Sequence, residues 1–116
     1  MSSLIGKEGE DLAVKILESK GYRILERNYR TKFGEIDIIA KDKKSLVFTE
    51  VKYHKNMGYG LPQETVTDEK LHKIQKTAEM YLFEHSICGD WRIDVVAIDP
   101  ETKKHEIFEN VFTLGL

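Results

Sequence analysis

GEIDIIAKDKKSLVFTEVK, residues 34–52, holds two runs rich in Ile, Val, Phe and Thr, parted by Lys41-Asp42-Lys43-Lys44. β-Branched and aromatic residues suit a pleated, half-buried surface, and a short charged interval between two such runs reads as a hairpin. Strands are expected over Glu35–Ala40 and Ser45–Tyr53. Side chains alternate across a strand, so Glu35, Asp37 and Ile39 share one face of the first, and Leu46, Phe48, Glu50 and Lys52 one face of the second. A two- or four-residue connection centred on Lys43-Lys44 opposes Asp42 to Ser45, Ile39 to Phe48 and Asp37 to Glu50. A three- or five-residue connection would set Asp37 against Thr49 or Val51 instead, because a one-residue slip turns every side chain to the other face.

In the first register two carboxylates stand about 5 Å apart at their Cβ atoms, beside the apolar pair Ile39 and Phe48. At an effective dielectric of about 20 they repel by roughly 3 kcal/mol. A hard divalent cation such as Mg²⁺ or Mn²⁺, which prefers carboxylate and water oxygens, removes that repulsion. Lys52 follows Glu50 on the same face, where its ammonium can position or deprotonate a water or neutralise charge growing on a phosphate. Asp, Glu and Lys around a metal are the parts of metal-assisted phosphodiester hydrolysis. On alternation alone, a solvated hairpin face carrying the same charges, or a surface ion pair among them, is the better reading.

Outward from the hairpin, residues 3–20 read as a helix that Ser2 or Ser3 can cap and Gly21 can end. Ile5, Gly9, Leu12, Ala13, Ile16 and Leu17 form its apolar arc, with Glu10 at the margin. Tyr22–Tyr29 reads as a less regular strand. His54–Glu64, with Gly58, Gly60 and Pro62, reads as a loop. A second helix is expected over Asp68–His85, with Leu71, Ile74, Ala78, Tyr81 and Leu82 on one face. Trp91–Ile98 is a strong strand, Asp99-Pro100-Glu101-Thr102 is turn chemistry, and His105–Phe112 can form a last strand. The order α-β-β-β-α-β-β predicts one α/β domain over residues 1–116. A helix between the third and fourth strands implies a crossover, hence a mixed sheet flanked by helices.

The chain has 116 residues, enough for one hydrophobic core and one domain. With 41% hydrophobic and 33% charged residues the composition is globular rather than disordered. No apolar run reaches the ~20 residues of a membrane span. The first residues lack a basic region followed by an apolar stretch, so no secretory leader is expected. The single Cys88 has no partner for an internal disulfide. These features point to a cytoplasmic protein.

Eighteen Lys and Arg against 20 Asp and Glu leave a net charge of −2, which argues against coating nucleic acid by charge alone. Basic residues are nonetheless gathered locally: Lys20, Arg23, Arg27, Arg30 and Lys32 face only Glu26 within their stretch. Arg30, Lys70 and Arg92 are candidate phosphate contacts. A solvated lysine and, for Arg92, an ion pair with Asp94 on the same strand face are the plain alternatives. Tyr53 and Tyr59 could stack on bases. His54, His72, His85 and His105 show no metal-ligand spacing, and Gly58-Tyr59-Gly60 lacks the rest of a phosphate-cradling loop.

Gly34-Glu35-Ile36-Asp37, twelve residues, then Glu50-Val51-Lys52 resembles the D…ExK signature of the restriction-endonuclease-like PD-(D/E)xK superfamily. Across residues 6–112 the chain resembles the YraN-like family of endonucleases, related to Holliday-junction resolvases. Gly6, Gly9, Glu10 and Ala13 resemble its GxxGExxA word, and Asn28-Tyr29-Arg30 its NxR word. Phe48-Thr49-Glu50-Val51-Lys52 resembles FVEVK, Lys70 and Ala78 the second-helix pattern, and Arg92-Ile93-Asp94-Val95-Val96 resembles RFDVV. The resemblance implies a restriction-endonuclease-like fold and a divalent-metal-dependent endonuclease acting on DNA, branched or damaged, by structure rather than sequence.

It implies catalytic Asp37, Glu50 and Lys52, and one or two Mg²⁺ or Mn²⁺ ions held by Asp37, Glu50, the Val51 carbonyl and Glu10. For Glu10, a first-turn acid favoured by the helix dipole is the alternative. A homodimer would suit such a substrate. Thr49 and His54 depart from the family's usual Val and Arg. A non-catalytic nucleic-acid- or protein-binding module that keeps the nuclease fold is the competing reading, and a small accessory protein with an acidic face is a third.

Overall fold

The computed structural model describes residues 4–53 and 67–111. The cap expected at Ser2 or Ser3, the loop from His54 to Glu64, and Phe112 lie outside them. Helix α1 (Leu4–Ser19) is followed by strands β1 (Arg23–Thr31), β2 (Gly34–Asp42) and β3 (Ser45–Tyr53). Helix α2 (Asp68–Glu84), β4 (Trp91–Ile98) and β5 (His105–Phe108) complete the order that the sequence predicts. The five strands lie side by side in sequence order, antiparallel except for β3 with β4. The sheet is therefore mixed, and the whole is compatible with a restriction-endonuclease-like α/β fold.

The hairpin takes the expected even register. Asp42 pairs with Ser45, Ile39 with Phe48, and Ile38 with Thr49. Register is strongly specified because both faces of β2 are buried by different cores. Ile39, Phe48, Ile93 and Val95 pack with Leu71, Ile74, Ala78 and Tyr81 of α2. Ile38, Ala40, Val47, Val96 and Ile98 pack with Ala13 and Leu17 of α1. Alternation thus sends neighbouring residues to opposite layers, giving helix, sheet and helix. Tyr81 anchors the α2 layer, its ring edge-on to Tyr29 and Phe48 at 5.2 and 5.8 Å between centroids.

Local chemistry sets the ends. Gly21, at φ +92°, closes α1 in the left-handed conformation expected there, with Tyr22 N–H donating to the Leu17 carbonyl. Thr67 caps α2, its Oγ1 accepting the Lys70 N–H at 3.2 Å. Strand β1 begins one residue later than Tyr22 and continues past Tyr29 to Thr31. A shift of register between Ile24 and Glu26 leaves Leu25 as an extra residue, a bulge that explains the irregular alternation. Strand β5 stops at Phe108, short of the expected Phe112. The Asn110 N–H is captured at 2.9 Å by Asp94 Oδ1 rather than by a neighbouring strand, and Asn110 adopts φ +54°.

Candidate active site

The β2–β3 ladder has its last pair at Ile38 and Thr49. One step further in the same register come Asp37 and Glu50. There Asp37 Oδ2 accepts the Val51 N–H at 2.8 Å, so the side chain of one strand holds the backbone of the other. Around this end of the hairpin opens a cleft of about 530 Å³. Gly6 and Glu10 of α1 line one side, and Lys70, Lys73 and Ile74 of α2 another. Asp37, Glu50, Val51 and Lys52 stand between them.

Glu50 is 7% exposed and is gripped by two cations. Lys70 Nζ lies 2.6 Å and Lys52 Nζ 3.2 Å from its Oε2. Charge-assisted contacts of this kind offset the cost of burying a carboxylate. Among the described residues Asp37 has no such ion pair. Burial, and next the negative charge of Glu50, push its carboxyl up to about 7, against the pull of the Val51 N–H. Lys52 is pushed the other way: burial and the neighbouring Lys70 draw its ammonium below the ordinary lysine range, while Glu50 opposes. Burial also pulls on Lys70, but its hydrogen bonds to Glu50 and Lys52 outweigh this and hold its proton more firmly. Of the two lysines, Lys52 is the readier to give up a proton and Lys70 the fixed charge.

Glu10 reaches the cleft from α1 and is 8% exposed. Its Oε1 accepts from Asn28 Nδ2 at 3.1 Å and from Arg27 Nη2 at 3.5 Å. Arg27 is itself tied to Asp11 Oδ1 at 2.7 Å. The first turn of α1 contains no acid, so a dipole role does not account for Glu10. What brings it in is the contact of α1 with β3 at Gly9. A Cβ there would lie 2.7 Å from both Cβ and Cγ of Tyr53, so only glycine permits this approach.

The structure thus gathers Glu10, Asp37, Glu50, Val51, Lys52 and Lys70 on one cleft. Arg30 stands at its rim, its Nε donating to Glu35, which lines the cleft. Arg92 does not line it. Its guanidinium is held by Asp94 at 3.1 Å, Asp42 at 3.2 Å and the Tyr22 hydroxyl at 2.7 Å, the ion-pair alternative in an enlarged form. Sequence reasoning passed over Asn28 as the holder of Glu10, and Lys73 as a lining residue. Lys73 is legible as the i+3 neighbour of Lys70, and Asn28 by its φ of +54° only once the backbone is seen.

Two carboxylates, the backbone of Val51 and a third acid nearby make an oxygen-only donor set. Among the described residues no three His, Cys, Asp or Glu side chains form a ready-made cage for a metal. Mg²⁺ does not require one, since it keeps several waters and is commonly held by one or two carboxylates. The raised carboxyl of Asp37 beside Glu50 is the electrostatic signature of a pair that such a cation relieves. The residues present fit the ion.

Residues 9–98 match the model of the uncharacterised protein family UPF0102. A UPF0102 protein of Persephonella marina is 51% identical over 94 residues, covering 80% of this chain and 81% of its own. One of Thermotoga petrophila is 44% identical over 106 residues, covering 91% and 94%. One of Geobacter sulfurreducens is 42% identical over 118 residues, covering 98% and 92%. The chain belongs to the UPF0102 family. Among the described residues no helix is long and apolar enough to cross a membrane.

Proposed function

We propose that this member of the UPF0102 family is a divalent-metal-dependent endonuclease of the PD-(D/E)xK type that hydrolyses phosphodiester bonds in DNA. The resemblance to the YraN-like endonucleases favours branched or damaged DNA as substrate. The observation that carries the reading is the convergence of Asp37, Glu50 and Lys52 on one cleft where the β2–β3 ladder ends, with Lys70 against the same carboxylate.

One or two Mg²⁺ or Mn²⁺ ions would be held by Asp37 and Glu50, with the Val51 carbonyl and Glu10 as further ligands. Such a cation would supply positive charge and would lower the pKa of water bound to it. The chain's own residues do the rest. The Val51 N–H fixes the Asp37 carboxylate, and Asn28 with Arg27 fixes Glu10. Lys52 Nζ, its proton loosened by burial and by Lys70, exchanges a proton with the attacking water or the leaving oxygen. Lys70 keeps its charge and meets the charge that grows on the phosphate.

The test is purified protein incubated with linear, flapped and four-way DNA in Mg²⁺ or Mn²⁺, beside Asp37→Ala and Lys52→Ala. Metal-dependent cleavage is expected, with each variant slower by about 10²-fold or more. Binding without cleavage, unchanged by Lys52→Ala, would make the chain a non-catalytic module that keeps the fold. Neither binding nor cleavage would leave an accessory protein.

A further inference from the structure

Beside the cleft, and outside its chemistry, lies a second recess of about 430 Å³ lined by Phe33, Lys76, Glu79, Met80 and Phe83. Phe33 sits in the turn between β1 and β2. Lys32 Nζ and Lys76 Nζ lie 5.3 and 5.5 Å from the centroid of its ring. Among the described residues neither lysine has an ion pair. The turn is fixed rather than loose: the Phe33 N–H donates to Thr31 Oγ1 at 3.0 Å, and Thr31 Oγ1 lies 3.5 Å from Thr77 Oγ1 of α2. Phe83, at 83% exposure, extends the apolar surface.

The recess continues the cleft. Gly34, next to Phe33, lines the cleft, as does Lys73, one helical step before Lys76. Lys70, Lys73 and Lys76 stand at i, i+3 and i+6, so a basic ridge runs about 9 Å along α2 from the Glu50 site to the Phe33 ring.

We propose that Phe33, whose ring carries Lys32 and Lys76 over it, is a platform on which an unpaired base of the nucleic acid stacks as the ammonium groups leave the ring for neighbouring phosphates. The proposal rests on the nuclease reading above and adds that the substrate is unpaired near the cut. An apolar protein surface seated here would have to strip water from two ammonium groups whose partner is the Phe33 ring, without returning any anion to them. A nucleic-acid strand offers both a π face for the ring and phosphates for the cations. Glu79 opposes a phosphate on its own side of the recess, which places the strand towards Lys32.

The test measures binding by fluorescence anisotropy in chelator, where no cleavage interferes, using a labelled single strand and a blunt, fully paired duplex. Phe33→Ala is expected to weaken single-strand binding about tenfold, the scale of one stacked base, and to leave duplex binding within about twofold. Phe33→Trp keeps the stack: affinity is retained, the added indole emission is quenched by the strand, and the test survives if the alanine variant folds poorly. Replacing both Lys32 and Lys76 by Ala lowers the salt slope of single-strand binding by about 1.4. If Phe33→Ala binds the single strand like the wild type while Lys70→Ala weakens it, the platform is wrong and the nuclease reading stands. If the wild-type chain binds neither DNA, both fall. If Phe33→Ala alters the oligomeric state and leaves DNA affinity unchanged, the recess is a contact between copies and the proposal is overturned.

Discussion

Asp37→Asn should make the metal-free protein more stable at pH 8. The free carboxyl ionises near pH 3.8, and in the folded chain burial and Glu50 push it up to about 7. A carboxyl raised on folding favours the folded state below its unfolded pKa, and that advantage is lost as pH climbs through the folded value. The window is therefore pH 3.8 to about 7, and above it Asp37 is a full liability. At about 1.4 kcal/mol per pH unit the upper bound is roughly 4 kcal/mol, which water at the open cleft reduces to about 2 kcal/mol. Asparagine keeps an oxygen to accept the Val51 N–H, so the main loss on substitution is the charge.

For a chain of this size 1 kcal/mol moves Tm by roughly 4 °C. Thermal unfolding in chelator should show Asp37→Asn about 8 °C above the wild type at pH 8, with the gap closing towards pH 4. Effects of pH common to both proteins cancel in the difference. Added Mg²⁺ should raise the Tm of the wild type, by about 1.4 kcal/mol of stability at ten times the dissociation constant, and leave the variant unmoved. A variant less stable than the wild type at pH 8, or a gap that does not change between pH 4 and pH 8, would refute the reasoning.

Gly9→Ala sets two effects against each other: alanine gains about 1 kcal/mol of helix propensity. The new Cβ meets Tyr53 at 2.7 Å, however, and α1 must retreat, at a cost of about 1–3 kcal/mol for overpacking. Urea unfolding should show a net loss, and the proposed nuclease activity should fall by a larger factor because Glu10 rides on the same turn; a more stable, fully active variant would contradict the contact. Thr49→Val should stabilise by about 1 kcal/mol with cleavage unchanged, since Thr49 is 1% exposed and its Oγ1 has no hydrogen-bond partner among the described residues. A destabilised valine variant, measured the same way, would mean that the hydroxyl has a partner.

What was legible in the sequence is what burial on both faces dictates. The two cores of β2 fix the hairpin register, because a slip by one residue would exchange the α1 layer for the α2 layer at every position. What was not legible is what one side chain decides at long range. β1 outlasts its alternation because Leu25 bulges out and Asn28 turns left-handed where its amide meets Glu10 of α1. β5 ends early because a buried carboxylate on β4, Asp94, takes the N–H of Asn110. Arg92 reads as a phosphate contact by type. Its environment comes from Tyr22 and Asp42, 70 and 50 residues away, and no local pattern carries that.

The placement of the cleft follows from the same alternation that builds the core. On the α2 face of β3 the order is Leu46, Phe48, Glu50, Lys52, and on β2 it is Ile39 followed by Asp37. Both strands change from apolar to charged at the same row, because Ile39 pairs with Phe48. A shared row of carboxylates cannot be covered by the apolar face of α2, since burying them unpaired would cost several kcal/mol per charge. The helix instead presents Lys70 and Lys73 there, with its own apolar run beginning at Leu71 and Ile74. The sheet therefore stays open at that end, and Glu50 is neutralised by Lys70 and Lys52 while Asp37 is left to ionise late. A chain that only needed to fold would close this row with apolar pairs. That it keeps four acids and three lysines at the mouth of an otherwise complete core is the reason to look for chemistry there.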